Sequence, residues 1–346
     1  MEFINLSEKT QKSITSLQDL ADLAGVSRAT ASRALNDSPL LNKKTKERLR
    51  KLAEKHNYSI NRRASDFRLR RTRVISVVFM LDLRSDQHMS DPFFLDMLGS
   101  IADSLAEHDY DLLLTHAPMR NVLDLKESRV MRNSDGVIFI GQGEQHEKLN
   151  ELAKGKTPIV VWGYPIAGKN YVVVGSENLN GGYQSTRHLL GLQHRKIAFF
   201  GNTGNPENAA RHEGYLQALS QFEVEADADL KVDIPFEMKS AREAIIKFMA
   251  SKKSFDAVVC ASDVMALASI STFQELGLRV PQDVAVVGFD DIRLAAYSNP
   301  PLTTVRQNIQ EAGRVLVESV LAMIKGEDVT DTILPSELIV RKSSGK

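Results

Sequence analysis

Residues 16–36 read SLQDLADLAGVSRATASRALN, and two short helices can be read from them. Ser16 stands as an N-cap with Asp19 three positions later, the spacing of a capping box. Leu17, Leu20, Ala21 and Ala24 then recur on one helical face, and Gly25 ends the run. Ser27 is a second N-cap, so close behind Gly25 that the two helices must turn sharply against each other in a helix-turn-helix spacing. In the second helix Val26, Ala31, Ala34 and Leu35 face inward, whereas Arg28, Ala29, Ser32 and Arg33 look out. Such a helix has too few large apolar side chains to form a core alone. Its small residues let it approach a groove closely, and its arginines suit guanine edges or phosphates.

A third helix runs from Asn42 as cap to about His56. Leu49, Leu52 and Ala53 can close a small core, while Lys43, Lys44, Lys46, Arg48, Arg50 and Lys51 leave much of its surface basic. Those cations fit phosphate contacts or simple solvation better than base reading.

Formal net charge is zero over 346 residues, with 44 basic and 44 acidic side chains, but the charge is divided. Residues 1–73 hold 17 Lys or Arg against 8 Asp or Glu, and the other 273 residues hold 27 against 36. A basic module of +9 therefore precedes a body of −9, which suggests attraction of one part to a polyanion. Apolar residues make up 42%, yet no run approaches the roughly 18 needed to span a membrane. The first 25 residues carry acids and amides where a signal peptide would have an apolar core. One cysteine, Cys260 in DAVVCASD, reads as an inert thiol on a buried strand. A cytoplasmic location is expected.

With SLQDLADLAGVSRATASRALN followed by TKERLRKLAEKHNY, the start of the chain resembles the headpiece of the LacI/GalR family of bacterial transcription repressors. The resemblance implies that Arg28 and Ala29, at the start of the second helix, read bases, with Arg33 as a further base contact. It assigns Ser16, Ser27, Thr30, Ser32 and Asn36 to phosphate contacts, capping or headpiece packing, and for Ser16 and Ser27 capping alone remains an alternative. Residues 61–73, NRRASDFRLRRTR, match the family's hinge, which folds on operator DNA and inserts a leucine into the minor groove. Here Phe67 stands in that place, flanked by Asn61 and Arg62 as further DNA contacts. A phenylalanine can also wedge between base steps. Ile60 replaces the usual proline and Asp66 brings a negative charge near phosphates, two departures from the ordinary hinge. With six arginines in this segment, folding without DNA is not expected.

From Val74 onward strand-like and helix-like segments alternate. VISVVFM suits a buried parallel strand, FFLDMLGSIADSLAEHDY has helical periodicity, and the order repeats through DLLLTHA, DGVIFIG, TPIVVWG, RKIAFFGN, DAVVCAS and VAVVGFD. This is an open α/β architecture, in which ligands collect at the carboxyl ends of strands. PIVVWGYP (158–165) and VGFDDIR (287–293) read as crossing points between two lobes. PFF (92–94), GGYQSTRHL (181–189), HRKIAFFG (194–201), GLRVPQDVAVVGFDD (277–291) and PPLTTVRQ (300–307) extend the resemblance over the body. It implies a body similar to a periplasmic sugar-binding protein. The expected division is a headpiece at 1–59, a hinge at 60–73 and an effector-binding and dimerisation body at 74–341. Its first lobe would be 74–161 with 293–322, and its second 163–290 with 325–341.

Sugars are held by carboxylates and guanidinium groups, with an aromatic face over the ring. Asp290, ending VAVVGFD, is placed to accept hydroxyls, whereas Asp291 fits a turn. Arg211 matches the family's cleft arginine, Phe94 and Phe236 match pocket walls, and Trp162 could stack on a ligand or pack in the core. Several positions depart from relatives. Ser262 stands where asparagine is usual, although Asp263 is retained, and Gly163 stands where several members have aspartate. Asn205 replaces a second ligand-binding arginine of a purine-binding relative, and Glu207 a threonine. These changes weigh against a purine and leave a sugar or sugar phosphate as the expected effector. Glu177 and Asn178 add polar contacts if the loop before Gly181 faces inward.

An enzyme is not expected. No Gly-x-Gly-x-x-Gly follows a strand, GNTGNPENAAR lacks the lysine and hydroxyl of a phosphate loop, and the histidines, His56 and His194 among them, have no evident nucleophile partner. No cofactor or metal is implied. A solute-binding protein without DNA-linked function is the alternative for the body, but it does not account for the headpiece. The expected molecule is a homodimer on a near-palindromic operator, its affinity set by a small molecule between the lobes. Whether effector releases or strengthens DNA binding is left open. Because RKSSGK follows soon after the final strand, a dimer is expected in preference to a tetramer.

Overall fold

The computed structural model describes residues 14, 16–35, 38, 40–56, 58, 71–81, 87–118, 122–126, 128–143 and 145–345. Asn36, Ile60, Asn61, Arg62, Arg63, Asp66 and Phe67 lie outside the described residues. Contacts divide the chain into two units, Met1–Thr72 and Arg73–Lys346.

In the first unit α1 (Leu17–Ala24), α2 (Arg28–Leu35) and α3 (Lys43–Lys55) pack together. Ser16 Oγ accepts from the Asp19 N–H at 3.2 Å, and the Asp19 carboxylate accepts from the Ser16 N–H at 2.9 Å. The capping box thus satisfies two helix-end donors. Gly25 ends α1 with φ 64°, a conformation that costs glycine little. Ser27 Oγ accepts from the Thr30 N–H at 3.1 Å, and Asn42 Oδ1 from the Thr45 N–H at 2.8 Å. Ala21, Ala31, Ala34 and Leu49 form the centre, with Leu17, Ala24, Val26 and Leu41 against it. Arg48 is not simply solvated: its Nη2 donates to the Ala24 carbonyl at 2.9 Å, tying α3 to the negative end of α1.

The second unit holds two six-stranded sheets. In the first lobe are β1 (Val74–Leu81), α4 (Pro92–Glu107), β2 (Asp111–Pro118), β3 (Gly136–Ile140), α5 (His146–Ala153), β4 (Ile159–Trp162) and β5 (Val172–Ser176). The chain then passes through α6 (Asn178–Gly191), β6 (Ile197–Phe200), α7 (Pro206–Gln221), β7 (Lys231–Val232), α8 (Met238–Ala250), β8 (Ala257–Cys260), α9 (Asp263–Glu275), β9 (Ala285–Asp290) and β10 (Thr303–Gln307). Last come α10 (Ile309–Lys325), β11 (Thr332–Leu334) and β12 (Ser336–Ile339). Sheet orders are β11-β5-β4-β3-β1-β2 and β12-β10-β9-β8-β6-β7. Every pairing is parallel except β10 with β12. On β1, Ile75, Val77 and Phe79 face α4 and α10, while Val78 and Met80 enter the core on the other face. A strand covered on both sides must be apolar or have its polar groups paired, and β1 is buried from Ile75 to Leu81, its one polar side chain, Ser76, donating to the Val130 carbonyl at 3.2 Å.

The lobe boundaries differ from the expected 161/163, 290/293 and 322/325. β5 remains in the first sheet, pairing Val160 with Val172, and β10 belongs to the second, pairing Thr303 with Val287. The chain therefore crosses between β5 and α6, between β10 and α10, and between β11 and β12. Backbone pairing decides this, since β5 sits between β11 and β4 and β10 between β12 and β9. Glu177 lies on the first crossing and helps bind it to the third. Its N–H donates to Leu334 O at 3.0 Å, and its carbonyl accepts from Ser336 Oγ at 3.3 Å.

No helix among the described residues is long and apolar enough to cross a membrane. Cys260 is buried, and burial pushes its thiol up to about 12. It is unreactive at neutral pH.

Helices α6 and α7 meet at backbone distance. A Cβ on Gly214 would overlap Leu179 O and the Tyr183 N, and one on Gly182 would overlap Arg211 O. Gly191, also on α6, faces open space. Gly214→Ala is expected to destabilise the protein by about 1–3 kcal/mol through overpacking. Gly191→Ala is expected to be neutral or to add up to about 1 kcal/mol through backbone entropy. Urea unfolding of the two variants checks the opposite signs.

Candidate functional site

Two sites can be assembled, one on each unit. On the first, Arg28, Ala29 and Arg33 are exposed on α2, and Thr30 and Ser32 are half-buried. Ser16 and Ser27 are exposed and already serve as caps. Thr30 Oγ1 also shares a 2.9 Å hydrogen bond with Ser27 Oγ. Ala31 and Ala34 hold the other face of α2 in the core, so the arginines leave the bundle on the exposed side. The helix is a thin basic ridge without an apolar outer face. Asn36, Asn61, Arg62 and Phe67, the remaining residues expected at this interface, lie outside the described residues.

On the second unit, a cavity of about 110 Å³ opens at the carboxyl ends of the strands, between the lobes. Phe94, Trp162, Arg211, Phe236, Ser262 and Asp290 all line it. Fold geometry explains their convergence, because the loops after β3, β4, β8 and β9 and the N-termini of α4 and α7 all end here. Phe93, Phe94 and Trp162 form an aromatic wall in the first lobe, with ring centroids 5.9 and 6.4 Å from Phe93. Phe236 faces the cavity from the second lobe.

Arg211 is 7% exposed, so its charge must be met by protein groups. Its Nε donates to Asn178 Oδ1 at 2.7 Å, Nη1 donates to the Ala261 carbonyl, and its guanidinium carbon lies 3.6 Å from the Phe289 ring centroid. Asn178 is fully held in this task, its Nδ2 donating to Ser176 O at 3.0 Å. Glu177 and Asn178 therefore do not line the cavity. One ties the crossings and the other aims the arginine.

Asp290 ends β9 with φ 119°, strained backbone of the kind that persists at functional positions when the surroundings hold it. Gln307 Nε2 donates to Asp290 Oδ1 at 2.7 Å. Burial pushes the Asp290 carboxyl up to about 7, with Arg211 opposing the rise. Behind it Asp263 is fully buried, accepting from Thr304 Oγ1 at 2.5 Å and the Ile292 N–H at 2.9 Å. Burial and the Asp290 charge hold its carboxyl well above the usual range. Asp291, which the sequence fits to a turn, makes ion pairs with Arg306 at 2.7 Å and Arg341 at 2.6 Å. Ser262 Oγ caps α9, accepting from the Met265 N–H at 3.3 Å, so it is both a cap and part of the wall.

Sequence reasoning missed Asp91, Phe93, Gln142, Asn208 and Gln307, which also line the cavity. Asp91 carried a legible signal, since it precedes Pro92 as a helix cap and accepts from the Phe93 N–H at 2.9 Å. Gln307 closes a strand that reads only as apolar and hydroxylated. Asn205 and Glu207, noted as departures, are in the cavity as well. Burial raises both the Asp91 and the Glu207 carboxyl. Three carboxyl groups thus face the space with one guanidinium. Among the described residues no group of three or more His, Cys, Asp or Glu is arranged to hold a metal.

Two family descriptions match the chain: "Bacterial regulatory proteins, lacI family" over residues 16–61 and "Periplasmic binding protein-like domain" over 186–344. The HTH-type transcriptional regulator RegA of Clostridium saccharobutylicum is 30% identical over 341 residues, covering 95% of this chain and 99% of RegA. Among solved structures, the transcriptional regulator CelR–cellobiose complex aligns with a TM-score of 0.70 at 28% identity, covering 95% of this chain and 99% of that one. The lac repressor dimer bound to operator and the anti-inducer ONPF aligns with a TM-score of 0.78, covering 96% and 99%. At 21% identity it supports the fold.

Because the folded protein keeps a proton on Asp290 that the unfolded chain has shed, its stability contribution falls as pH rises from the ordinary carboxylate range to about 7 and levels off above it. Asp263 titrates with it as a pair. Asp290→Asn removes this dependence. Melting curves between about pH 5 and pH 8 should show the variant gaining on the wild type as pH rises; parallel curves would contradict the assigned environment.

Proposed function

The chain belongs to the lacI family of bacterial regulatory proteins, and from that membership we propose a cytoplasmic, homodimeric repressor controlled by a neutral carbohydrate bound between its lobes. The family is one of DNA-binding transcriptional regulators, not of enzymes. One observation carries the reading of the cavity: Asp91, Glu207, Asp290 and Arg211 line one space together with an aromatic wall. Carboxylates accept from hydroxyls, the guanidinium donates to ring or hydroxyl oxygens, and aromatic faces cover C–H surfaces. Three carboxyl groups against one guanidinium disfavour a phosphate, so a neutral sugar is preferred to a sugar phosphate. CelR, a relative of similar length, is named with cellobiose, and a lacI-family regulator from Enterococcus faecium with ribose.

On DNA, Arg28, Ala29 and Arg33 would enter the major groove, while Ser16, Ser27, Thr30 and Ser32 sit near phosphates. Capping does not prevent this for Ser16, whose hydroxyl accepts from the backbone and still has a proton to donate, and the Ser27–Thr30 pair keeps one of its two hydroxyl protons for a phosphate. Asn36, Asn61, Arg62 and Phe67 would extend the contact. The relative solved as a dimer on its operator supports a two-headpiece arrangement. An effector that closes the lobes would alter how two such headpieces are presented.

Arg33→Ala should cost about 1–3 kcal/mol in discrimination between operator and random DNA if it reads guanine. Equal weakening on both DNAs in a fluorescence titration would make it a phosphate contact. For the cavity, a thermal-shift screen of neutral sugars, sugar phosphates and nucleosides should give stabilisation by a neutral sugar. Asp290→Ala should abolish that stabilisation and leave dimerisation intact by ultracentrifugation.

A further inference from the structure

Gln142 follows β3 in the cavity wall and is fully buried. Its carboxamide is oriented by one hydrogen bond: Oε1 accepts from the Tyr164 N–H at 3.0 Å. That bond fixes which end of the amide is oxygen and commits Nε2 to the opposite side. Nε2 has no hydrogen-bond partner among the described residues. Leaving a buried donor unsatisfied is costly, and most such groups in native proteins find a partner. Gly163 explains how the side chain fits. A Cβ at residue 163 would collide with Gln142 Oε1 and crowd its Cδ, although the Gly163 backbone has no left-handed conformation that requires glycine. Glycine is needed there for space.

The geometry points to a role for this pair: we propose that Gln142 is a specificity-determining residue of the first lobe, its Nε2–H donating to an uncharged oxygen of the sugar in the cavity, with Gly163 leaving room for it. The inference rests on the reading of the cavity as a carbohydrate site and deepens it. Asp91, Glu207 and Asp290 accept from hydroxyl protons, and Arg211 supplies a donor from the second lobe. Gln142 supplies a neutral donor from the first lobe, so a ligand bonded to both Arg211 and Gln142 spans the cleft. A bond of this kind discriminates strongly, because a ligand lacking the acceptor leaves the donor buried and unpaired.

The test uses full-length protein and a panel of D-ribose, D-glucose, D-galactose, D-fructose and cellobiose, screened by thermal shift and followed by titration calorimetry. Two variants are compared with the wild type. Gln142→Glu keeps an oxygen for the Tyr164 N–H and, assayed at a pH where the new carboxyl is ionised, removes the donor, and Gly163→Ala keeps the Gln142 amide but displaces it. For a sugar that binds the wild type, each variant should lose roughly tenfold or more in affinity, with circular dichroism unchanged. Among deoxy analogues of that sugar, one should bind the wild type roughly tenfold more weakly and be insensitive to Gln142→Glu. Wild-type affinity in both variants, with binding still lost in Asp290→Ala, would overturn the role of Gln142 while leaving the cavity as the sugar site. Binding insensitive to Asp290→Ala as well, or no binding by any sugar of the panel, would overturn both.

Discussion

A buried guanidinium organises the body of this protein. Arg211 is screened from water and must be compensated by protein groups, and its partners come from several segments: Asn178 after the first crossing, the Ala261 carbonyl after β8, and the Phe289 ring on β9. None of these contacts works unless α7 approaches α6 almost backbone to backbone, which Gly182 and Gly214 permit. The charge in turn opposes the rise that burial imposes on the Asp290 and Glu207 carboxyls. Packing, electrostatics and the ligand cavity are thus one arrangement. Removing any component leaves an uncompensated charge for the others to absorb.

The same cluster gives a physical basis for response to a ligand. A cavity lined by polar groups whose ionisation is held back by burial is sensitive to what fills it, since a bound hydroxyl changes both hydration and hydrogen bonding there. A ligand that bonds to both lobes would stabilise their closure. Three chain crossings join the lobes, and two of them are tied through Glu177, Leu334 and Ser336. Any movement of one lobe on the other must pass through these crossings.

The headpiece solves a different problem with little material. Its core rests on alanines and a few leucines, so local signals carry unusual weight: two serine caps, an asparagine cap and one left-handed glycine set the helix ends. Arg48 adds a long-range tie to the Ala24 carbonyl. Arg28 and Arg33, the two arginines of α2, stay exposed.

By itself the sequence determined what depends on neighbours along the chain. Caps and glycine at 16–27 specified the helix turn, continuous apolar runs specified strands covered on both faces, and strand ends located Trp162 and Asp290 at the mouth of a sheet. Likeness to a family then added Arg211 and Phe236, which have no local mark. Tertiary structure alone decided which sheet the short strands β5 and β10 join, because a strand of five residues carries its pairing partner in no part of its own pattern. It also decided that Arg48 and Asn178 are braces, that Asp91, Gln142 and Gln307 enter the cavity, and that Gly163 is a gap reserved for a neighbour's amide. Each of these depends on residues far apart in sequence becoming adjacent, where burial and a single hydrogen bond reassign what a polar side chain does.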